Sequence, residues 1–144
     1  MSHPDLPDVP GVIRIHHVGL VVRNAEAAAE DFRTALGLEA VALEEYQGTA
    51  RVAFLRIGES LLELIEPVSD GSPWAGALRD HGEGAHHFAL EVIDLSAAVR
   101  ALTAAGTRML DPRPRRAAGD VLSVFIDPAE TGGTLIELVQ QIRV

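Results

Sequence analysis

Two histidines and two glutamates recur at matching places in two similar segments of this 144-residue chain. His17 and His87 lie 70 residues apart in similar runs. Glu63 and Glu137 lie 74 residues apart, again in similar runs. Two imidazoles and two carboxylates form a mixed nitrogen and oxygen set, which suits Co²⁺, Mn²⁺, Ni²⁺, Fe²⁺ or Zn²⁺ in a site with more than four ligands. The spacing therefore predicts that the four side chains bind one divalent metal ion.

The four positions lie in segments with the apolar alternation of β-strands. Glu63 shares its strand face with a leucine and an isoleucine, and Glu137 shares its face with a leucine and a valine. A charged group on an apolar face is costly unless it is paired or bound to a cation. The neighbouring His16 and His86 alternate to the opposite face, so the pattern predicts a structural role for them.

Each half of the chain shows the pattern of a strand, a helix and three further strands. The two helices begin after the capping residues Asn24 and Asp94 and end at Gly37 and Gly106, which can adopt the left-handed conformation. The extended segments that follow are residues 39–45, 51–57 and 60–66 in the first half, and 107–110, 121–126 and 134–140 in the second. A short helix near residues 74–80 joins the halves, with Ser72 as its cap.

The duplication predicts an α+β fold in which two tandem βαβββ modules form a curved mixed sheet around the metal site. A sheet of one half cannot bury its own face, so the two copies must pack together. We expect a single domain over residues 13–144, with modules at about 13–68 and 82–144. Residues 1–12, which include three prolines and two aspartates, are expected to form a disordered lead-in.

The composition limits both the chemistry and the partners. The chain has no cysteine and no lysine, and 12 arginines stand against 21 acidic residues, a net charge of −9. Thiolate sites, cysteine nucleophiles and Schiff-base lysines are therefore excluded. So acidic a chain repels a phosphate backbone, which argues against nucleic-acid partners. No stretch approaches the ~18 apolar residues of a membrane helix, and the N-terminus lacks a signal-peptide pattern, so we expect no membrane partner and a cytoplasmic location.

Several motifs resemble the vicinal oxygen chelate superfamily and, within it, the methylmalonyl-CoA epimerase family, over about residues 14–140. These motifs are HVG (17–19), LGL (36–38), QG (47–48), VAFL (52–55), LELIEP (62–67), GEGAHH (82–87) and TGGTLIEL (131–138). The resemblance implies that His17, Glu63, His87 and Glu137 are the metal ligands, with Co²⁺ the leading metal. It also implies an isomerase that interconverts the two configurations at C2 of methylmalonyl-CoA or of a similar 2-substituted malonyl-CoA.

The implied reaction needs a metal-stabilised enolate and two proton carriers. Glu137 is predicted as the first carrier. Some epimerases have a second glutamate four residues after the glutamine of the QG motif, where this chain has Arg51, or Val52 if one residue is inserted. Glu45 is the nearby acid predicted for that role, and Gln47 is predicted to contact the substrate.

The basic cluster Arg113, Arg115 and Arg116 is predicted to bind the phosphates of coenzyme A, because planar guanidinium groups suit phosphate. The alternative interpretation is a solvated loop. Two other functions stay open, namely a metal isomerase of the glyoxalase I type and a metal-free binding or resistance protein of the same fold. A dioxygenase would favour a site of two histidines and one carboxylate. The resemblance also implies a homodimer.

Overall fold

The computed structural model describes residues 11–142. Its elements are β1 (Val12–Val21), α1 (Ala25–Leu36), β2 (Ala40–Tyr46), β3 (Ala50–Ile57), β4 (Ser60–Pro67), α2 (Pro73–His81), β5 (Gly84–Val92), α3 (Leu95–Ala104), β6 (Arg115–Ala117), β7 (Val121–Ile126) and β8 (Ile136–Gln141), with a 3-10 turn at Pro128–Thr131. β1 begins one residue before the predicted domain boundary, and residues 1–10 of the expected lead-in lie outside the described residues. Within residues 11–142 no helix is long and apolar enough to cross a membrane.

Contacts between residues divide the described chain into two compact units. Unit N contains residues 16–88, and unit C contains residues 11–15 and 89–142. The strand order is β2-β3-β4-β1-β5 in unit N and β1-β5-β8-β7-β6 in unit C. Both units contain part of β1 and part of β5, because the unit boundaries fall within these two strands. β1 pairs with β4 in parallel, whereas β3 pairs with both of its neighbours antiparallel. The predicted α+β class with a mixed sheet is therefore confirmed.

Strand register divides the side chains of unit N between two faces. Gly19 pairs with Glu63 between β1 and β4, and Phe54 pairs with Glu63 between β3 and β4. Paired residues point to the same side of a sheet. The histidine face, as we call this side, carries His17, Gly19, Val21, Ala42, Glu44, Tyr46, Val52, Phe54, Arg56, Leu61, Glu63 and Ile65. The opposite side packs against α1 through a buried cluster that includes Ala25, Ala53, Leu55 and Leu64, and we call it the helix face.

Unit C is divided in the same way. Phe125 pairs with Glu137 between β7 and β8, and Ser123 pairs with both Val139 and Arg115. We call this side the glutamate face. The opposite side packs against α3 in a buried cluster of Val92, Leu95, Ala98, Val99, Leu102, Val124, Ile126 and Leu138. Each carboxylate of the repeat therefore lies on the sheet side away from the helix of its own unit.

The predicted helix ends are present. The side chains of Asn24 and Asp94 accept hydrogen bonds from the backbone N–H groups of the third residues after them. Gly37 closes α1 with φ +71°, and Gly106 follows α3 with φ +89°, a backbone region that favours glycine. Ser72 caps α2, the short helix between the repeats. Local signals therefore determine where the helices begin and end.

The sixth strand differs from the prediction. The predicted extended segment 107–110 makes only one isolated bridge, from Met109 to Ile126, and the strand that pairs with β7 is Arg115–Ala117. The predicted segment is short and is followed by Asp111 and Pro112, and proline cannot donate to a ladder. Two of the three clustered arginines therefore belong to the strand β6 rather than to a loop.

Burial in the core of unit N makes a stability prediction. Leu64 is fully buried in the cluster beneath α1, whereas Leu36 is 67% exposed at the end of that helix. We expect Leu64→Ala to lower the free energy of unfolding by about 2–5 kcal/mol, because it removes transfer free energy and leaves a cavity. Leu36→Ala is the matched control and should change it by less than about 0.5 kcal/mol. Urea unfolding measures both, and equal losses would contradict the assignment of this core.

Candidate metal centre

His17 and His87 approach each other through their outer ring nitrogens. The two Nε2 atoms are 3.2 Å apart, and both residues are buried. Two Nε2 atoms bound to one ion at ~2.1 Å, with an angle near 90° between the bonds, would lie about 3 Å apart. The spacing of these two nitrogens therefore fits two ligands on a single metal ion.

Glu63 lies beside this pair. It is only 4% exposed, and its Oε2 atom is 2.9 Å from Nδ1 of His17. The geometry of that approach makes no hydrogen bond, and Oε2 of Glu63 is one of two buried side-chain polar atoms within residues 11–142 that lack a hydrogen-bond partner. An unsatisfied buried carboxylate oxygen costs free energy. A cation beside it would remove that cost, so the donor set fits a metal.

The absence of a side chain at Gly19 makes room for this arrangement. A Cβ atom built on Gly19 would lie 2.3 Å from Cε1 of His87, closer than two non-bonded carbon atoms can approach. The strand partner of Gly19 is Glu63. The glycine therefore lets the imidazole of His87 lie directly over the strand that carries His17.

His16 and His86 contact the two predicted ligands, which the alternation pattern did not predict. Nδ1 of His16 is 2.8 Å from Nδ1 of His17, and Nδ1 of His86 is 2.9 Å from Nδ1 of His87. His16 is buried, and it groups with His17 and Glu63 in a cluster able to hold a metal ion. A second histidine at Nδ1 can fix the tautomer in which Nε2 is unprotonated and can bind a metal. The repeated His-His pairs were the available sequence signal.

Trp74, the only tryptophan of the chain, covers the two histidines of β5. Its indole stacks on the ring of His87, with a centroid distance of 5.8 Å and an interplanar angle of 24°, and meets His86 edge-on at 5.0 Å. Trp74 lies in the first turn of α2, directly after the cap and Pro73. The short helix therefore positions an aromatic wall for a predicted ligand, which the sequence pattern did not reveal.

Glu137 is buried on the glutamate face of unit C, at 3% exposure. The hydroxyl of Ser123, itself buried, donates to Oε2 of Glu137 at 2.5 Å. Hydrogen bonds to a charged acceptor are among the strong ones, so this bond fixes the orientation of the carboxylate. Ser123 was not predicted, and nothing in a single serine on an alternating strand marks it out.

Two predicted residues of the first half lie away from the histidine face or at its margin. Glu45 pairs with Arg51 between β2 and β3, so it points to the helix face, and its carboxylate is 4.0 Å from Nε of Arg51. Arg51 in turn pairs with Glu26 of α1 at 2.6 Å. Gln47 occupies the turn between β2 and β3, exposed and with φ +49°. The structure does not bring Glu45 to the histidines.

The basic cluster is engaged with an acid. Arg113 and Arg115 both donate to the carboxylate of Asp111. The backbone N–H of Arg113, followed by the guanidinium groups of Arg115 and Arg113, holds the pKa of Asp111 well below its usual range. Arg115 lies on the glutamate face through its pairing with Ser123, whereas Arg116 pairs with Leu122 and points to the other side. The three arginines therefore do not share one face.

The chain matches known proteins along most of its length. Residues 16–125 match the profile of the glyoxalase/bleomycin resistance protein/dioxygenase superfamily. The ethylmalonyl-CoA/methylmalonyl-CoA epimerase of Cereibacter sphaeroides is 36% identical over 130 residues, which cover 88% of this chain and 97% of that protein. The mitochondrial methylmalonyl-CoA epimerase of Bos taurus is 32% identical over 96% of this chain and 81% of that protein.

Solved structures lead to the same group. The crystal structure of methylmalonyl-CoA epimerase from Mycobacterium tuberculosis has a TM-score of 0.88 and 30% identity, covering 96% of this chain and 95% of that one. These relatives are epimerases, which are isomerases, so the predicted enzyme class and the predicted resemblance are confirmed. The chain belongs to the glyoxalase/bleomycin resistance protein/dioxygenase superfamily and, within it, to the methylmalonyl-CoA epimerase family.

Proposed function

We propose that the protein is a metal-dependent epimerase that inverts C2 of methylmalonyl-CoA or of a similar 2-substituted malonyl-CoA. The observation that carries the proposal is the buried pair of Nε2 atoms of His17 and His87 with the unsatisfied carboxylate of Glu63 beside it. The similarity to epimerases supplies the reaction type. A methylmalonyl-CoA epimerase of 31% identity and TM-score 0.86 is known in complex with methylmalonyl-CoA, which supports an acyl-CoA substrate.

The metal in this proposal is held by His17, Glu63, His87 and Glu137, one histidine and one glutamate from each repeat. Co²⁺ is the leading candidate, and Mn²⁺, Ni²⁺, Zn²⁺ and Fe²⁺ suit the same donors. When bound, the metal supplies positive charge that stabilises the negative charge of the enolate oxygen. The buried setting of the donors strengthens this effect, because a low local dielectric weakens electrostatic interactions less than water does.

Glu137 is the proposed base. Its carboxylate takes the C2 proton, the C2–H bond breaks, and the electron pair moves into the thioester carbonyl to form an enolate. The hydroxyl of Ser123 donates a hydrogen bond to Oε2 of Glu137, which fixes the orientation of the carboxylate. Inversion then requires a proton delivered to the opposite face of the planar carbon by a second acid.

The arginine cluster is proposed to bind the phosphates of coenzyme A, with Arg115 as the main contact. Arg115 lies on the glutamate face, and its guanidinium is oriented by two contacts with Asp111. It remains 65% exposed, so an incoming phosphate can reach it. Gln47, exposed in the turn between β2 and β3, stays a proposed substrate contact.

The oligomeric state and the cellular location of the protein are also part of the proposal. We propose a homodimer, as the resemblance implies. The support in this chain is the strand β2, whose apolar residues Val41 and Leu43 are 53% and 45% exposed. Contiguous exposed apolar residues are typical of interaction surfaces. The cytoplasmic location stays a prediction.

Metal binding at His87 predicts a fluorescence change. We expect Co²⁺ to quench most of the emission of Trp74 with a stoichiometry of one ion per chain, because the indole stacks on a ligand ring and transition metals quench nearby indoles. Titration of the purified apoprotein measures this effect. Mg²⁺ should leave the emission unchanged, and His87→Ala should abolish the quenching. Calorimetry that shows Co²⁺ binding with unaltered Trp74 emission would place the ion elsewhere.

The reaction predicts metal-dependent exchange at C2. We expect NMR in D₂O to show deuterium entering C2 of methylmalonyl-CoA from both configurations, only when Co²⁺ or a similar ion is added. Glu137→Gln roughly keeps the shape and one oxygen donor but cannot accept the proton, so exchange should fall by ~10²–10⁴-fold even with excess metal. Recovery by excess metal would limit Glu137 to a ligand. A parent protein that binds metal without exchange would overturn the epimerase and favour a glyoxalase I type isomerase.

The phosphate contact predicts a change in KM alone. Arg115→Ala should raise KM for the acyl-CoA by roughly 10-fold, the value of one charge-assisted hydrogen bond, with kcat little changed because the phosphates lie far from the reacting carbon. Arg100→Ala, which removes an exposed arginine from α3, is the matched control. Steady-state kinetics measures both variants. An equal KM for Arg115→Ala and the parent would show that the cluster is solvated surface.

A further inference from the structure

We infer that Glu44 is the second proton carrier of the reaction, an assignment that rests on the proposed function. Inversion at one carbon through a planar enolate needs a proton removed on one face and a proton delivered on the other. Glu137 occupies one of these roles. The other role requires an acid that shares the histidine face with the metal-ligand candidates but is not itself needed as a ligand.

Strand register places Glu44 on that face. Glu44 pairs with Val52 between β2 and β3, and Val52 pairs with Ile65 between β3 and β4. Ile65 and Glu63 lie on the same side of β4, two residues apart. Neighbouring strands are ~4.8 Å apart, so β2 and β4 are separated by about 10 Å. Glu44 therefore lies on the same face as Glu63, two strands away.

The interactions of Glu44 also fit a proton carrier. The side-chain carboxylate of Glu44 makes no hydrogen bond or ion pair with any part of the chain that the structure describes, and the residue is exposed. An exposed carboxylate can exchange its proton with water between turnovers. Glu45, its neighbour, points to the helix face and lies beside Arg51, so its carboxylate is held where the substrate would not reach.

No other acid of unit N has this placement. Besides the metal-ligand candidates and Glu44, the titratable residues on the histidine face are Tyr46 and Arg56. A guanidinium stays protonated, and an ordinary phenol titrates near pH ~10. Glu66 pairs with Arg51 on the helix face and accepts the backbone N–H of Ala25. Glu44 is therefore the one carboxylic acid left to serve this side.

The proton balance closes with two carboxyl groups. In one direction the C2–H bond breaks, its proton passes to the carboxylate of Glu137, and the electron pair enters the enolate. The carboxylic acid of Glu44 then gives its proton to the opposite face of C2, a new C2–H bond forms, and Glu44 becomes a carboxylate. In the reverse direction the two groups exchange roles, and water restores their protonation between turnovers.

The test follows each configuration of methylmalonyl-CoA separately in D₂O with the metal-loaded enzyme. Glu44→Gln should lower interconversion by ~10²–10⁴-fold. Deuterium should still enter C2 without inversion from the one configuration whose proton faces Glu137. This split is specific to the loss of one of two carriers, because a general structural defect would slow exchange from both configurations alike.

Two further glutamine variants and a binding measurement complete the experiment. Glu39→Gln removes a nearby exposed charge that belongs to no strand, and it should behave as the parent does. Glu45→Gln separates the neighbouring acid from Glu44 and should also leave the inversion rate within about twofold of the parent, an effect of at most a few tenths of a kcal/mol. Co²⁺ quenching of Trp74 should be the same in all variants, which shows that the metal site is intact.

The outcomes separate this inference from the function on which it rests. A parent without exchange from either configuration overturns the epimerase and this assignment with it. If the parent is active and Glu44→Gln has the same inversion rate as Glu39→Gln, the role of Glu44 alone is overturned. Loss of exchange from both configurations in Glu44→Gln also overturns that role alone. Inversion lost in Glu45→Gln but kept in Glu44→Gln would transfer the role to Glu45.

Discussion

The rest of the site depends on burying a carboxylate oxygen that no group of the described chain satisfies. Oε2 of Glu63 lies against His17 without a hydrogen bond, and the outer nitrogens of His17 and His87 face each other at a distance that suits a shared cation. Such a cluster is unfavourable by itself. Apolar packing on the helix face, where Leu64 is fully buried, supplies the stability that holds it together.

The two repeats place their glutamates at equivalent sheet positions, but the residues around the two glutamates differ. Phe54 stands opposite Glu63 and Phe125 stands opposite Glu137, so the two carboxylates occupy equivalent sheet positions. Two residues before the phenylalanine, however, the second repeat has Ser123 and the first has valine. Glu137 therefore has a hydroxyl donor where Glu63 has none. A duplicated fold can in this way give two identical residues different roles, because one neighbouring side chain changes the hydrogen bonds available.

The sequence could predict those features that depend on local chemistry or on the repeat. Helix caps such as Asn24 and the apolar rows around the glutamates could be predicted, since each depends on residues that are close in the sequence. The sequence could not predict which side of the sheet each glutamate of β2 faces, because a register shift of one residue turns every side chain to the other side. Register in β2 depends on the turn at Gln47 and on an irregularity between Ala40 and Ala42. This is why the sequence could suggest Glu45 as the second acid although its side chain lies on the helix face.

The difference between these neighbours shows what the reaction requires of the fold. A metal needs donors at fixed distances, so its ligands must be buried and held, as the proposed ligands Glu63 and His87 are. A proton carrier needs only to reach the reacting carbon from the correct side and to exchange protons with water. Any strand that contributes to the histidine face can supply it, so Val52 on β3 can be apolar while Glu44 on the adjacent β2 provides the acid. The second proton carrier must therefore lie on the histidine face within reach of the reacting carbon, but it can come from more than one position in the sequence.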